Sequence, residues 1–484
     1  MKKLFISLLL LFPLFIFSQT INWGTTTKTL ESFSYNWNSK SGTYIGNIDG
    51  FNYYVYYRRV ISPISITNKI NIAFVKVKDN QVIQYTEFTK KEYLKINIQI
   101  MDNKIAVIYL ELSKDSKSEV KIDFFDPNLL TFEKSQSLYS FYGDIDYNSF
   151  GKFAVSEDKN SIAIMTYAKM PDTKQSGILI KTFDNQYNEK DEIFIQDESK
   201  LSGIYDQLII NNDGSGYVVV SNYRIENQDY YLDEIDIIKF NESNYSTITY
   251  KEENLNDEMS ATVIQTGKEE AKLVLTKKKI LRIIDLDFGS ENFSESNFYE
   301  LKSGDWMIDK VIKLDNGNLF FSIANQGMRI FMSSNSRTIV YFNKSFLFYC
   351  FDSSMNELIY EIKAGRYYSV NEGVQSPEGY LTVPTFYYQK DNKVTLLYNS
   401  DEEYPKEHTE KNGDDDHTIT TSATKTSLLQ KTIIDETGSI NTTTLTNSSD
   451  EDGLFATPFI HISEDGKIII AKINNKKITI GIIQ

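Results

Sequence analysis

A single cysteine, Cys350, stands in a chain of 484 residues. One thiol cannot make an internal disulfide, so stability has to come from the packed core. Its setting, Phe346-Leu347-Phe348-Tyr349-Cys350-Phe351, is apolar and strand-like. Nothing beside it would stabilise a thiolate, and the side chain is read as a small buried hydrophobe. Histidine is almost as scarce, with only His408, His417 and His461. Gly-x-Ser-x-Gly, P-loop and His-Glu-x-x-His patterns are missing, which removes the common hydrolase, nucleotidase and zinc-protease signatures. Apolar runs of membrane-spanning length are missing beyond the first residues, and apolar residues at helical spacing are rare throughout.

The chain opens on Lys2 and Lys3, then an apolar stretch from Leu4 to Phe17 broken by Ser7 and Pro13, then Ser18-Gln19. That order is the order of a secretory leader, expected over residues 1–18. The stretch is shorter than the ~20 residues a spanning helix needs. No cysteine follows it to carry a lipid. Residues 19–484 are expected as one secreted or periplasmic domain, with no membrane insertion after cleavage. The lack of paired cysteines favours a bacterial envelope setting. A formal charge of −15 repels phosphate backbones and anionic lipid, so no nucleic-acid partner is expected and a membrane surface is a poor one.

What the chain does contain is short runs of Ile, Val, Tyr and Phe bounded by Asn, Asp, Gly or Ser. This is the strand signature, and the fold class is all-β. An acidic or Asn turn precedes an apolar run at Asp49-Gly50, Asp102-Asn103, Asp158, Asp213-Gly214, Asp315-Asn316-Gly317, Glu378-Gly379 and Asp465-Gly466, and Thr266-Gly267-Lys268 stands where the spacing expects a further one. These turns recur roughly every 50–60 residues over most of the chain, the period of a propeller blade, with stretched intervals near the end. A second register of strand-closing residues runs through Asp126, Asp184, Asn241, Asp287 and Asp352. Together they predict a β-propeller of seven or eight blades.

The last unit has room for only two or three strands. The segment Thr27 to Trp37, with Leu30, Phe33 and Tyr35 in alternation, is expected to supply its outer strand and close the ring, which removes open sheet edges. Residues 401–427 carry Asp401-Glu402-Glu403, Asp414-Asp415-Asp416 and a Thr/Ser-rich run, and read as an acidic, mobile insertion.

Ser463-Glu464-Asp465-Gly466-Lys467-Ile468-Ile469-Ile470 resembles the Ser-x-Asp-Gly-Lys-strand signature of WD40-like repeats in the TolB-type propeller family. Asp126 and Asp352 stand where such repeats often place an Asp after the third strand. The resemblance implies a scaffold for protein or glycan contacts and carries no catalytic residue. No Trp-Asp dipeptide and no Gly-Gly pair occurs, which sets the chain apart from true WD40 and kelch repeats.

No cofactor is expected. A divalent cation site is not expected either. Asp414, Asp416 and His417 are the residues it would draw on, but a Thr/Ser-rich loop offers no rigid second shell. Asp285-Leu286-Asp287-Phe288-Gly289 is read as a strand-closing turn, since its Gly is too early for a calcium loop and Ser296 stands at the twelfth position. His461, alternating with apolar neighbours, is read as a solvent-facing or internally satisfied strand residue. The aromatic load, 32 Tyr among 484 residues, has two readings. Packing on both faces of each sheet consumes it, or some of it is displayed for binding, with Tyr230, Tyr231, Trp306, Tyr367 and Tyr368 as candidates. The leading expectation is a non-enzymatic propeller that binds an envelope protein or polysaccharide through its top-face loops. The alternatives are a glycoside hydrolase with paired carboxylates in the central funnel and a purely structural envelope component.

Overall fold

The computed structural model describes residues 21–28, 43–60, 69–91, 93–111, 117–142, 151–170, 175–196, 202–226, 229–241, 244–251, 259–267, 269–277, 280–301, 306–333, 336–351, 357–371, 385–400, 407–412, 415–420, 428–435, 439–447, 454–455, 460–463, 466–474 and 477–483, several of them as backbone only. Every described element is a strand, and every pairing is antiparallel. The leader (residues 1–18), Asp352, Glu378 and Asp465 lie outside these residues.

Among the described residues, seven four-stranded meanders follow one another at 43–91, 93–142, 152–196, 202–251, 259–300, 306–371 and 386–447. The second and third are joined into one eight-stranded sheet by the pairing of Tyr142 with Lys169. An eighth sheet is centred on Ile468–Asn474 and Lys477–Ile483. One side of it takes His461–Ile462 and Leu454–Phe455. The other side takes strands from the start of the chain: Ile21 pairs Ile483, Trp23 pairs Gly481, and Thr27 pairs Ile478. The outer strand expected at Thr27 to Trp37 thus comes mostly from earlier residues, and Leu30, Phe33 and Tyr35 lie outside the described ones.

Successive residues of a strand point to opposite faces, so a strand packed on both sides needs apolar side chains throughout. Tyr53 and Tyr54 show this directly. Tyr53 is buried with Phe74, Val107 and Phe125 between the first and second meanders. Its neighbour Tyr54 is buried with Val75, Ile469, Ala471 and Ile480, between the first meander and the eighth sheet. Equivalent clusters join second to third, third to fourth, fourth to fifth, fifth to sixth, sixth to seventh and seventh to eighth. Face-to-face packing is therefore where the described interior aromatics go, at about 1.5–3 kcal/mol for each large side chain fully buried.

The turn rhythm has a backbone cause. Asp49, Gly50, Asp102, Asn103, Lys159, Gly214, Gly317 and Gly466 all have φ between 46° and 88°, the left-handed region that Gly, Asn and Asp tolerate. Each described turn joins the first strand of its unit to the second. The seventh turn was expected at Glu378-Gly379, but the structure places it at Asp391-Asn392, with φ 53° and 55°. The last two intervals then become nearly equal, and both have identified causes. The sixth meander has strands of 15, 16 and 15 residues. The seventh carries an extra hairpin, Glu407–Asn412 with Asp415–Thr420, inside the acidic insertion.

Candidate functional site

A four-stranded meander puts two of its turns at one end and its remaining connections at the other. Both sequence registers, the first-to-second and the third-to-fourth turns, therefore fall at the same end of the molecule. There several carboxylates are occupied, those of Asp126, Asp158, Asp213 and Asp287 among them. Asp126 accepts from the N–H groups of Asn128 and Leu129. Asp158 accepts from Ser156 Oγ and Asn160 N, and Asp213 from Ser215 N and Oγ. Asp287 accepts from Gly289 N and from Ser290, which closes the strand as read from the sequence. The Ser290 hydroxyl, then the backbone N–H groups, hold the Asp287 carboxyl below its ordinary range, and Ser156 and Asn160 do the same for Asp158. These are Asx turns, in which the side chain replaces a missing backbone acceptor.

Stitches between units complete this end. The Asp158 N–H donates to Asn212 Oδ1 of the next meander at 3.1 Å, and the Asn316 N–H to Asn392 Oδ1 of the next at 2.9 Å. On the inner strands, Gln207 Oε1 accepts from both Val263 N and Thr262 Oγ1 at 2.9 Å, which covers a free sheet edge. Asp213→Ala is expected to lower stability by about 1 kcal/mol through loss of the Ser215 bonds. A thermal melt checks this, and partner binding should not change. Since Asp213 titrates below its ordinary value, mainly through Ser215, its contribution is present above that value and fades as pH falls through the lowered one.

The opposite end is chemically different. The chain has seven arginines: Arg58, Arg59, Arg224, Arg282, Arg329, Arg337 and Arg366. All lie in the parts of their strands farther from the tight turns. Arg282, whose side chain is described, donates to Tyr250 Oη at 3.2 Å. Tyr230 and Tyr231 fall at this end of Asp229–Asn241, and Arg224 is the register partner of Tyr231. Tyr367 and Tyr368 fall at this end of Glu357–Asn371, opposite Phe342 and Tyr341. The side chains of these four tyrosines lie outside the described residues.

Trp306 does not join them. It is 5 % exposed and packs with Val274, Ile283 and Ile323 between the fifth and sixth meanders, which leaves its ring no face for a ligand. Of the cation candidates, Asp416 and His417 stand as backbone in the strand Asp415–Thr420, and Asp414 lies outside the described residues. Among the described residues no group of three or more His, Cys, Asp or Glu is placed to hold a metal.

Two further sites hold chemistry-bearing groups. Asp309 is the bulged residue of the innermost strand Trp306–Lys313 and accepts a hydrogen bond from Tyr387 Oη, which also contacts Ser322 Oγ at 2.7 Å. Burial, then the Asp309 charge, pushes the Tyr387 hydroxyl well above its ordinary value, so it is a donor at neutral pH. The arrangement ties the sixth meander to the seventh. An open groove of about 550 Å³ on the fifth meander is lined by Glu270, Lys272, Asp285, Asp287 and the exposed ring of Phe293. Its Asp285 is paired with Lys272, and its Asp287 caps a turn.

His461 is buried, not solvent-facing. Its ring stacks on Tyr44 at 3.9 Å, and Nδ1 shares a 2.8 Å hydrogen bond with Tyr54 Oη. Nε2 has no hydrogen-bond partner among the described residues, and burial lowers the pKa of His461 to about 4. It is a neutral seam residue between the eighth sheet and the first meander.

No family model matches the chain, and no curated protein matches it. Solved structures similar to it include the Dos1 propeller, at 10% identity with 96% of each chain covered and a TM-score of 0.45. The β-propeller domain of the Trilobed protease from Pyrococcus furiosus is 13% identical over 87% of this chain and 97% of that one, with a TM-score of 0.35. The WD40 domain of SCAP from fission yeast is 8% identical over 95% and 98%, with a TM-score of 0.39. At such low scores the propeller assignment rests on the chain's own strand order and packing.

Proposed function

We propose that this chain is a secreted or periplasmic, non-enzymatic propeller of eight blades that binds a protein or polysaccharide of the cell envelope. Its ring is closed by the N-terminal strand, and binding uses the end opposite the tight turns. One observation carries this reading: the two ends differ in chemistry. One end carries self-capped turns, in which the carboxylates of Asp126, Asp158, Asp213 and Asp287 already have donors. The other gathers every arginine and the paired tyrosines of the fourth and sixth meanders. Arg and Tyr supply large contact area and directed hydrogen bonds at low entropic cost, and they dominate interface energetics.

The enzyme reading requires two carboxylates converging in the central funnel. Asp309, the innermost carboxylate whose bonding is described, is engaged by Tyr387, which favours binding over hydrolysis. The test is to probe the immobilised mature chain with an envelope-glycan array and purified envelope proteins, while assaying reducing-end release from each glycan. Retention of a partner without product release is expected. Release of sugars with no retained partner would overturn the reading.

A further inference from the structure

The sixth meander is built differently from its neighbours. Its second, third and fourth strands, Leu319–Ser333, Ser336–Phe351 and Glu357–Asn371, are nearly twice as long as Glu270–Lys277 of the fifth meander or Lys393–Ser400 of the seventh. All three have one end, at Leu319, Phe351 and Glu357, at the same tight-turn end, so the excess projects from the other end. The boundary is marked in the register. The innermost strand stops pairing at Trp306–Asn325, one bulge follows between Asn325 and Gln326, and another between Asn343 and Ser345. Bulges bend a strand and end its regular packing. Beyond them a three-stranded ribbon, residues 326–343 and 364–371, continues for about 20 Å.

Its composition breaks with the rest of the chain. Nearly a quarter of the protein is charged, with 66 acidic residues. The ribbon contains Arg329, Arg337 and Arg366 and no Lys, Asp or Glu. Register rows place Met328, Tyr341 and Tyr368 side by side on one face, with Ile330, Ile339 and Val370 in the next row of the same face. Arg, Tyr and Met enriched while Lys, Asp and Glu are depleted is the composition of an interface core, not of a solvated ribbon.

We infer that this ribbon is the docking element for a partner protein whose surface combines an apolar centre with carboxylates. The inference rests on the binding function proposed above and names the class of partner. Charge complementarity selects that occupant: Arg337 and Arg366 fall on the face of these apolar rows, and the ribbon's own residues include no acid, which calls for carboxylates on the other side. A second copy docked symmetrically would bring like charges together. A neutral glycan would leave the arginines without a counter-charge.

The test pans a phage-displayed random dodecapeptide library on the immobilised mature chain. Enriched peptides are expected to combine Asp or Glu with aromatic or aliphatic residues and to bind more weakly as salt rises. Arg329→Glu, Arg337→Glu and Arg366→Glu combined should weaken binding at least about tenfold. In a second variant a two-residue Asn-Gly turn links Gln326 directly to Asn343, which are register partners. It should keep cooperative melting and lose binding. The inference is overturned by peptides without acids, by binding that survives both variants, or by a ribbon-dependent dimer in sedimentation. Binding that appears only after removal of the acidic hairpin 407–420, or binding of alginate in place of peptides, also overturns it. A partner retained equally by both variants defeats this inference and leaves the proposed function standing. Turnover with no retained partner defeats both.

Discussion

Tyr54→Ala is expected to cost about 3–5 kcal/mol, the range for truncating a large buried aromatic. The ring is fully buried between the first meander and the eighth sheet, against Val75, Ile469 and Ile480. Its hydroxyl is bonded to His461 Nδ1, so the truncation also removes the partner of a buried polar atom. Tyr54→Phe separates the two terms: it keeps the volume and should cost about 1–3 kcal/mol. The same seam predicts a pH dependence. His461 has its pKa lowered from 6.5 to about 4 by burial. The unfolded chain therefore binds the proton more readily, and stability falls as pH drops from 6.5 toward 4, by about 3 kcal/mol. Above 6.5 this contribution is complete. Urea midpoints measured across that window should show the slope in the wild type and its loss in His461→Phe. A flat profile in both would show that the ring is solvated.

Gly481→Val is expected to have the second largest effect, roughly 3 kcal/mol, by dislodging the first strand from the last sheet. A Cβ at Gly481 would lie 2.7 Å from Ile21 Cγ2 and 2.7 Å from Trp23 Cε3. Trp23 is the register partner of Gly481 and covers it, an aromatic laid over the one position without a side chain. Ile21 and Trp23 also pack on the cluster shared by the seventh and eighth sheets. Limited proteolysis should cut the variant ahead of residue 29 well before it cuts the wild type. Gly466→Val makes an instructive contrast. Its φ is 82° and nothing lies within 4 Å of an added Cβ, so only backbone strain opposes it, about 1–2 kcal/mol.

Much of the architecture was legible in the sequence because left-handed turn residues leave a chemical trace. Asp-Gly or Asp-Asn stands at the φ > 0 turns of the first, second, fourth and seventh units, and Asn-Gly at that of the sixth. The error at the seventh unit has a local cause. Ser376-Pro377-Glu378-Gly379 is as turn-like in composition as Asp391-Asn392, and the alternation of Phe386 to Lys390 against Lys393 to Ser400 separates them. The paired tyrosines of Tyr53-Tyr54 were legible as a pattern but not as a choice between core and surface, since burial on both faces and display look alike in one dimension. Trp306 failed for the same reason: it stands beside Asp305 and near Gly304, yet its strand is innermost and packed. The arginine-bearing ribbon was invisible because its meaning depends on strand lengths in adjacent sheets. His461 could not be placed either, since its partner Tyr54 is brought near only when the chain's two ends meet.

The first strand pairs with the last, and the proposed ring closes at this pairing. Asn22 and Ile482 are register partners across the pairing of first and last strands. Asn22→Cys and Ile482→Cys, placed together in a Cys350→Ala background, should oxidise to an intramolecular bridge. The bridge should make the monomer migrate faster on a non-reducing gel and raise its melting temperature. Failure to cross-link, or bridges formed only between molecules, would contradict a ring closed by its own N-terminal strand.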